Sequence, residues 1–461
     1  MFLTYLTWTA AFIFILGTAV VLHEFGHFIV AKLLKIRVET FSAGFGPRLF
    51  GKKWGDTDYR VSAIPLGGYV KLGGDESNAP LEGAGSTEIP ECEMFNLRPR
   101  WQRFLVAVAG PVMNILTAFT IPFAAALLYG VPATPAPIVS YIVQGGAAEK
   151  AGLKSGDRIV AFNGTENPDW DSISGDALLS PDQNLPMVVD RGGQRISLNI
   201  VPTAHTENGE TAGLLDLTPD NGGYPVVIKS ISPGSPAADA GLQAGDRLVA
   251  VGGESVKSAA QARGYIKDHN AQPLKLAVVR GGQTVQILTD SRRLPDGVLG
   301  IGVVDDFPIE KAQLVASARH AVRSNIEIVK LTGKALGQVA AGKRSMRNTL
   351  SGPIGIYQAA ATQVDRLGWE GVFQMIAILS LNLGVFNLLP IPVLDGGAIF
   401  LLLIEGALAV VGMTLSTVVR ERIQQVGLVF VILLMVFVLT NDVLKKLSPG
   451  SPTTKPAATS K

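Results

Sequence analysis

Four apolar stretches constrain this 461-residue chain more than anything else in it. The first runs from near Leu6 to about Leu34 and reads LTWTAAFIFILGTAVVL, then HEFGH, then FIVAKLL. The second, Phe104 to about Tyr129, holds no charged residue and carries Pro111, Asn114 and Pro122. The third, about Val372 to Ile404, is interrupted by NLLPIPVLDGG at Asn387 to Gly397, and the fourth, about Val426 to Leu439, is short but almost purely aliphatic. A hydrocarbon layer of roughly 30 Å takes about 20 helical residues, and proline is tolerated there where neighbouring helices satisfy the freed carbonyls. The four stretches therefore predict membrane-spanning helices. Composition agrees: charged residues are 17% of the chain, against about 25% in a soluble domain, and the mean hydropathy is +0.31. A cleaved signal peptide competes for the first stretch. MFLTY ahead of it has no Lys or Arg, and no small-x-small site follows, so a retained helix is expected.

The links between the stretches set orientation. Residues 35–103 include Lys35, Arg37, Arg48, Lys52, Lys53, Arg60, Lys71, Arg98, Arg100 and Arg103, and the link after the third stretch holds Arg420 and Arg422. Positive charge favours the cytoplasmic side, so both termini and the large middle region are expected outside. Lys445 and Lys446 pull the other way, and an odd number of spans would accommodate them. A net charge of +2 gives nucleic acid no electrostatic footprint. The single cysteine, Cys92, excludes an intrachain disulfide framework and a Cys-rich zinc site.

The middle region repeats. AGLKSGDRIVAFNG at 151–164 recurs as AGLQAGDRLVAVGG at 240–253, with nine of fourteen positions identical, and RGGQ at 191–194 recurs at 280–283 with the same offset of 89. Two copies mean a duplicated domain and not a solenoid. Alternation in RIVAF and RLVAV fits half-buried strands, and the Gly-Asp ahead of each supplies a turn. The pattern resembles a tandem pair of PDZ domains. In that family a peptide adds as an edge strand beside a Gly-containing apolar loop. Leu299, Gly300 and Ile301, within GVLGIGV at 297–303, resemble that loop, whereas the first copy has Asp216 in place of Gly300. Rigid spacers without a ligand are the competing reading of both copies. Residues 308–350 are basic, with Leu314, Ala318, Val322 and Ile326 at helical spacing, and read as amphipathic helix near the membrane surface or as plain connector.

Chemistry concentrates in the first stretch. His23, Glu24 and His27 spell HExxH. Positions i and i+4 share one helix face, so both imidazoles can hold one zinc, and Glu24 can act on the water at that metal as general base. Ionisable groups inside an apolar span are costly and functional by default. Catalytic zinc takes three protein ligands. His205, His269 and His320 lie in the outer region and Cys92 in a link, which leaves Asp395, in VLDGG behind two prolines, as the best third ligand. A helix cap or interfacial turn is the plainer role for such an aspartate.

These residues together resemble the site-2 protease family of intramembrane zinc metalloproteases, in its bacterial RseP type. HEFGH at 23–27, AGPVMN at 109–114, NLLPIPVLDGG at 387–397 and the PDZ pair carry the resemblance. It implies zinc on His23, His27 and Asp395, with Glu24 moving protons between water and leaving amine. It implies that Asn387 holds substrate beside the site, while Asn114 packs or bonds between helices. It also implies a membrane-embedded β-structure that receives unwound substrate, through Gly44, Phe45 and Gly46 and through Gly67, Gly68 and Tyr69. The expected substrates are single-pass membrane proteins, namely an anti-sigma factor in sigma-E envelope stress signalling and remnant signal peptides. The outer PDZ pair would exclude substrates whose outer domain is untrimmed, and the host would be a bacterial inner membrane.

The expected fold class is a multi-domain membrane protein. It combines a four-span α-helical bundle, cytoplasmic membrane-associated β-hairpins and two periplasmic α+β PDZ domains. Expected boundaries are 1–36 (first span), 37–103 (β-rich loop), 104–130 (second span), 131–220 and 221–306 (the PDZ pair) and 307–370 (amphipathic connector). They continue with 371–406 (third span), 407–422 (link), 423–441 (fourth span) and 442–461 (disordered tail). Two rivals remain. A non-catalytic membrane PDZ scaffold needs neither Glu24 nor Asp395, and a zinc transporter needs no general base and no outer PDZ pair.

Overall fold

A computed structural model describes residues 2–74, 89–207, 210–232, 234–268, 273–289, 299–311, 313–342, 345–346, 352–413 and 415–447. The expected disordered tail from 448 onward, His269, and residues 297–298 of the GVLGIGV loop lie outside the described residues. The chain divides into two compact units. One comprises Met1–Leu128, Ala312–Lys330 and Gly342–Ser448, and the other is built from Tyr129–Lys311 and Leu331–Ala341.

The first unit is largely helical. Helix α1 is Phe2–Leu33, followed by strands β1 (Val38–Trp54) and β2 (Thr57–Leu72), then α2 (Arg100–Tyr129). Helix α3 is Leu314–Ala340, of which the part through Lys330 belongs here. It is followed by α4 (Pro353–Leu367), α5 (Trp369–Asn387), α6 (Asp395–Val410) and α7 (Thr417–Leu447). Among the described residues, four segments are long and apolar enough to cross a membrane: Tyr5–Leu33, Arg100–Tyr129, Trp369–Asn387 and Val418–Leu444. The third stretch is thus two helices, not one span over 371–406. Pro390 and Pro392 in the break cannot donate to a helical ladder, and Val393 takes the left-handed φ of +86°. The last helix runs past residue 441, the expected end of the fourth span, to Leu447.

The hairpin between α1 and α2 folds back on itself. Residues 38–43 of β1 pair with both ends of β2: Phe41 faces Val70 on one side and Tyr59 on the other. The strand order is therefore 48–54, 57–61, 38–43, 68–72. Gly44 and Gly46 (φ +96° and +84°) bend β1, and Gly67 (φ +157°) bends β2. Through this bend β2 lies along α1.

The second unit contains the duplication, and the offset of 89 holds element by element. Strands Arg158–Phe162, Leu185–Arg191 and Gln194–Ile200 correspond to Arg247–Val251, Leu274–Arg280 and Gln283–Thr289, and helix Trp170–Leu179 to Ala259–Asp268. Buried Ile159, Phe162, Met187 and Val189 correspond to buried Leu248, Val251, Leu276 and Val278. The repeated Gly-Asp and RGGQ elements meet. Arg191 clamps Asp157 at 2.7 and 2.8 Å and also donates to the Gly152 carbonyl. Arg280 does the same to Asp246 and Gly241. In the second copy, strand Ile301–Asp305 edges the sheet beside Val226–Ile231. In the first, Leu217–Pro219 pairs with Val139–Ile142.

Candidate metal centre

Four helices and a break bring the polar residues together. His23 and His27 lie one turn apart on α1, as i and i+4 spacing requires. Asp395 is the first residue of α6, where the chain resumes its helix after Val393. It is not the helix cap: that position is Leu394. The Asp395 carboxylate reaches His23 Nε2 at 3.0 Å and His27 Nε2 at 3.5 Å. One ligand atom from each residue lies within 4.8 Å of the others, and this is the metal-competent cluster among the described residues.

The outer nitrogens fix the inner ones. His27 Nδ1 lies 2.7 Å from the Val106 carbonyl. A carbonyl only accepts, so Nδ1 carries the proton and Nε2 keeps its lone pair for a metal. His23 Nδ1 faces the Asn114 side-chain amide at 3.1 Å. With Nδ2 on that nitrogen, the buried Asn114 Oδ1 has no partner among the described residues. Turned over, the amide gives a protonated Nδ1 its acceptor and frees Nε2 toward Asp395. Asn387, the last residue of α5, places its Nδ2 3.3 Å from His23 Nε2.

Small residues make this convergence possible. A Cβ on Gly110 would lie 2.3 Å from His27 Nε2, and one on Gly26 would lie 2.3 Å from the Ala109 carbonyl. AGPVMN is therefore the motif by which α2 approaches the histidines, with Asn114 one turn beyond Gly110 touching His23. The resemblance implies that Asn114 packs or bonds between helices, and the bond falls on His23. The contact could be suspected only from a polar residue inside an apolar span, because nothing local says which face it shares. The Val106 carbonyl carries no sequence signal at all.

Glu24 faces the hairpin. The Val70 backbone N–H bonds to its carboxylate, and a Cβ on Gly68 would lie 3.5 Å from Glu24 Cγ. The other residues expected to meet substrate cluster with one another. Phe45 stacks on Tyr69 with ring centroids 6.1 Å apart, over Gly67, where a Cβ would strike the Phe45 ring at 2.2 Å. Tyr69 also takes a hydrogen bond from Arg60. Gly44 and Gly46 both lie beside Ile64.

The loop expected to hold a peptide is fastened to its own module. Leu299 puts its side chain into the apolar core, 1% exposed, while its carbonyl accepts from Ala237 N–H and that of Gly300 from Ser232 N–H. Gly300 has φ +73°, and Ile301 pairs with Ile231. In the first copy Asp216 adopts the same left-handed backbone, φ +54°. Its carboxylate accepts from Ala147 N–H at 3.0 Å and from Thr203 Oγ1 at 2.6 Å, so the aspartate fills its own loop.

The donor set suits zinc: two imidazoles and one carboxylate, with second partners on both imidazoles. Comparison with known proteins points the same way. The profile of peptidase family M50 matches residues 11–434. A Vibrio cholerae protein provisionally named a zinc metalloprotease is 31% identical over 455 residues, covering 94% of this chain and 97% of that protein. The regulator of sigma-E protease RseP of Salmonella typhimurium is 31% identical over 94% of this chain and 97% of its own length. Its Escherichia coli counterpart is 30% identical over 95% and 99%. The chain belongs to peptidase family M50, the site-2 protease family of metallopeptidases.

Proposed function

We propose that this protein is an intramembrane zinc endopeptidase that cuts single-pass membrane proteins within or beside their spanning helix. The observation that carries the reading is the meeting of His23, His27 and Asp395 within apolar helices, next to Glu24. His23, His27 and Asp395 would hold zinc, which when bound polarises the scissile carbonyl and acidifies water. Glu24 takes a proton from the attacking water and delivers it to the leaving amine. Val70 N–H orients the Glu24 carboxylate, and Asn114 and the Val106 carbonyl hold the two imidazoles in the tautomer that presents Nε2. Asn387 donates beside the reacting carbonyl.

A membrane helix hides its peptide bonds in its own ladder, so it must unwind before it can be cut. Strand 68–72 at the edge of the folded hairpin, beside Glu24, suits pairing with an extended segment. Gly44, Phe45, Gly46, Gly67, Gly68 and Tyr69 shape that edge. The duplicated modules are read as PDZ domains on the periplasmic side, with both termini there, screening substrates by the bulk of their outer domain. The proposed substrates are an anti-sigma factor already cut once, in envelope stress signalling, and remnant signal peptides, in a bacterial inner membrane. What supports this is similarity to relatives named regulators of sigma-E protease.

The test uses a single-pass substrate with and without its folded outer domain. The trimmed form should be cut and the untrimmed form spared, and deletion of residues 138–306 should let both be cut. Equal cutting of both forms by the intact chain would overturn the filter. Absence of any cutting in a folded deletion variant would do so as well.

A further inference from the structure

A second polar cluster lies at the far end of α6. Glu405, 7% exposed, sits ten residues after Asp395, about 15 Å along the helix. Three arginines converge on it. Arg420 of α7 bonds one carboxylate oxygen, while Arg103 and Arg100 of α2 approach the other at 3.5 and 4.0 Å. Arg100 and Arg420 stand at the ends of the apolar spans Arg100–Tyr129 and Val418–Leu444, where a bilayer has its headgroups.

The charges do not balance. Three guanidiniums face one carboxylate, which leaves an excess of two positive charges. Each guanidinium has five N–H donors, and one carboxylate offers about four acceptor positions. Arg103 Nε is buried and has no hydrogen-bond partner among the described residues. The surroundings add to the excess. All three arginines stand in the first turns of α2 and α7, where the helix dipole is positive and no acidic residue lies within the first turn; beyond it, Glu421 next to Arg420 is matched by Arg422. Such first turns favour anions, so these arginines are not there for helix stability. Setting topology does not explain them either, since that needs charges counted near the span ends and not guanidiniums drawn together.

We propose that Arg100, Arg103 and Arg420 form a binding site for the phosphate of an anionic phospholipid, with Glu405 as the internal counter-ion that gathers them. Forked guanidiniums suit a phosphodiester, and the position at the span ends assigns the lipid headgroup as its source. The bound phosphate ties the ends of α2, α6 and α7 together. The proposal rests on the spans crossing a membrane and not on peptidase activity, so its test reads lipid alone.

The full chain is extracted with equimolar phosphatidylglycerol and phosphatidylcholine of matched acyl chains, and retained lipid is counted by native mass spectrometry. At about 1 kcal/mol per basic residue near an anionic surface, two uncompensated charges predict a preference of about thirtyfold for phosphatidylglycerol. Arg100 is half exposed and farthest from Glu405, so R100Q leaves the other two pairs in place. It should lower the preference about fivefold, while R100K keeps most of it. Equal retention of the two lipids by the wild type overturns the proposal, as does an R100Q variant with wild-type preference. An excess of inorganic phosphate should leave the lipid in place. Displacement by it would assign the site to a soluble phosphate and overturn the lipid reading.

Discussion

The metal centre and the duplicated modules both rest on aspartates held by nitrogen-bearing side chains, yet their partners come from different distances. Asp157 and Asp246 each take an arginine 34 residues downstream within one module. The pair is made twice, at the same offset, and each arginine also bonds a turn carbonyl of its own module. Asp395 meets histidines from the other end of the chain, and α1, α2, α5 and α6 all contribute a group. A local, repeated pair fastens a turn to a strand. A pair gathered across four helices, with surplus lone pairs aimed at one point, is the arrangement on which the proposed metal site rests.

The largest effect that sharpens this contrast is on Glu24. E24Q should lower cleavage by about 10³-fold through loss of the general base, with zinc content unchanged because no proposed ligand is touched. D395N comes next: an amide is a poorer ligand, and zinc affinity should fall by more than about a hundredfold, since even outer partners are worth 10- to 100-fold. Unchanged metal content would show that the third ligand lies elsewhere. Asn114→Leu should cost about 10- to 100-fold in zinc affinity while leaving the helices intact, measured by metal competition. A loss of fold without a separate loss of affinity would return Asn114 to packing.

The smallest effect falls on the modules. D246N should destabilise the second copy by about 2 kcal/mol, the range for hydrogen bonds to a charged group, and leave zinc binding alone. Thermal unfolding followed beside metal content would separate the two. The pH dependence has a definite sign. The bonds from Arg280 hold the Asp246 carboxyl below the usual carboxylate range against the opposing effect of burial. Its contribution is therefore complete above the unfolded value of about 3.9 and is lost as pH falls through the lower folded value. Module stability that rose on acidification through that window would contradict the pairing.

Local signals carried much of this architecture. HExxH states its own geometry because helical spacing sets i and i+4 on one face. The offset of 89 announced the duplication, and its core residues and Asp–Arg pairs fall where the repeat puts them. Asp395 was legible only beside HExxH: taken alone it suits a cap or turn, but two histidines in an apolar span leave a zinc short of its third ligand. What could not be read is what depends on contact across the chain. Gly110 is an ordinary small residue until α2 is packed on the histidines, and the Val106 carbonyl looks like every other. The double pairing of Phe41 with Val70 and Tyr59 needs the bends at Gly44 and Gly67, and the sequence shows only that strands and turns are present. The GVLGIGV motif marks Leu299 by its place in a loop and does not say that its side chain enters the module core.

The most direct test of the central claim sets wild type beside E24Q, each purified in detergent with a single-pass membrane substrate. Zinc is measured in both proteins, and cleavage with and without a chelator. The account predicts zinc in both, cleavage by the wild type alone, and loss of that cleavage on chelation. Cleavage by E24Q at the wild-type rate would contradict the assignment of the base, and wild-type cleavage that survives removal of the zinc would contradict the metal centre itself.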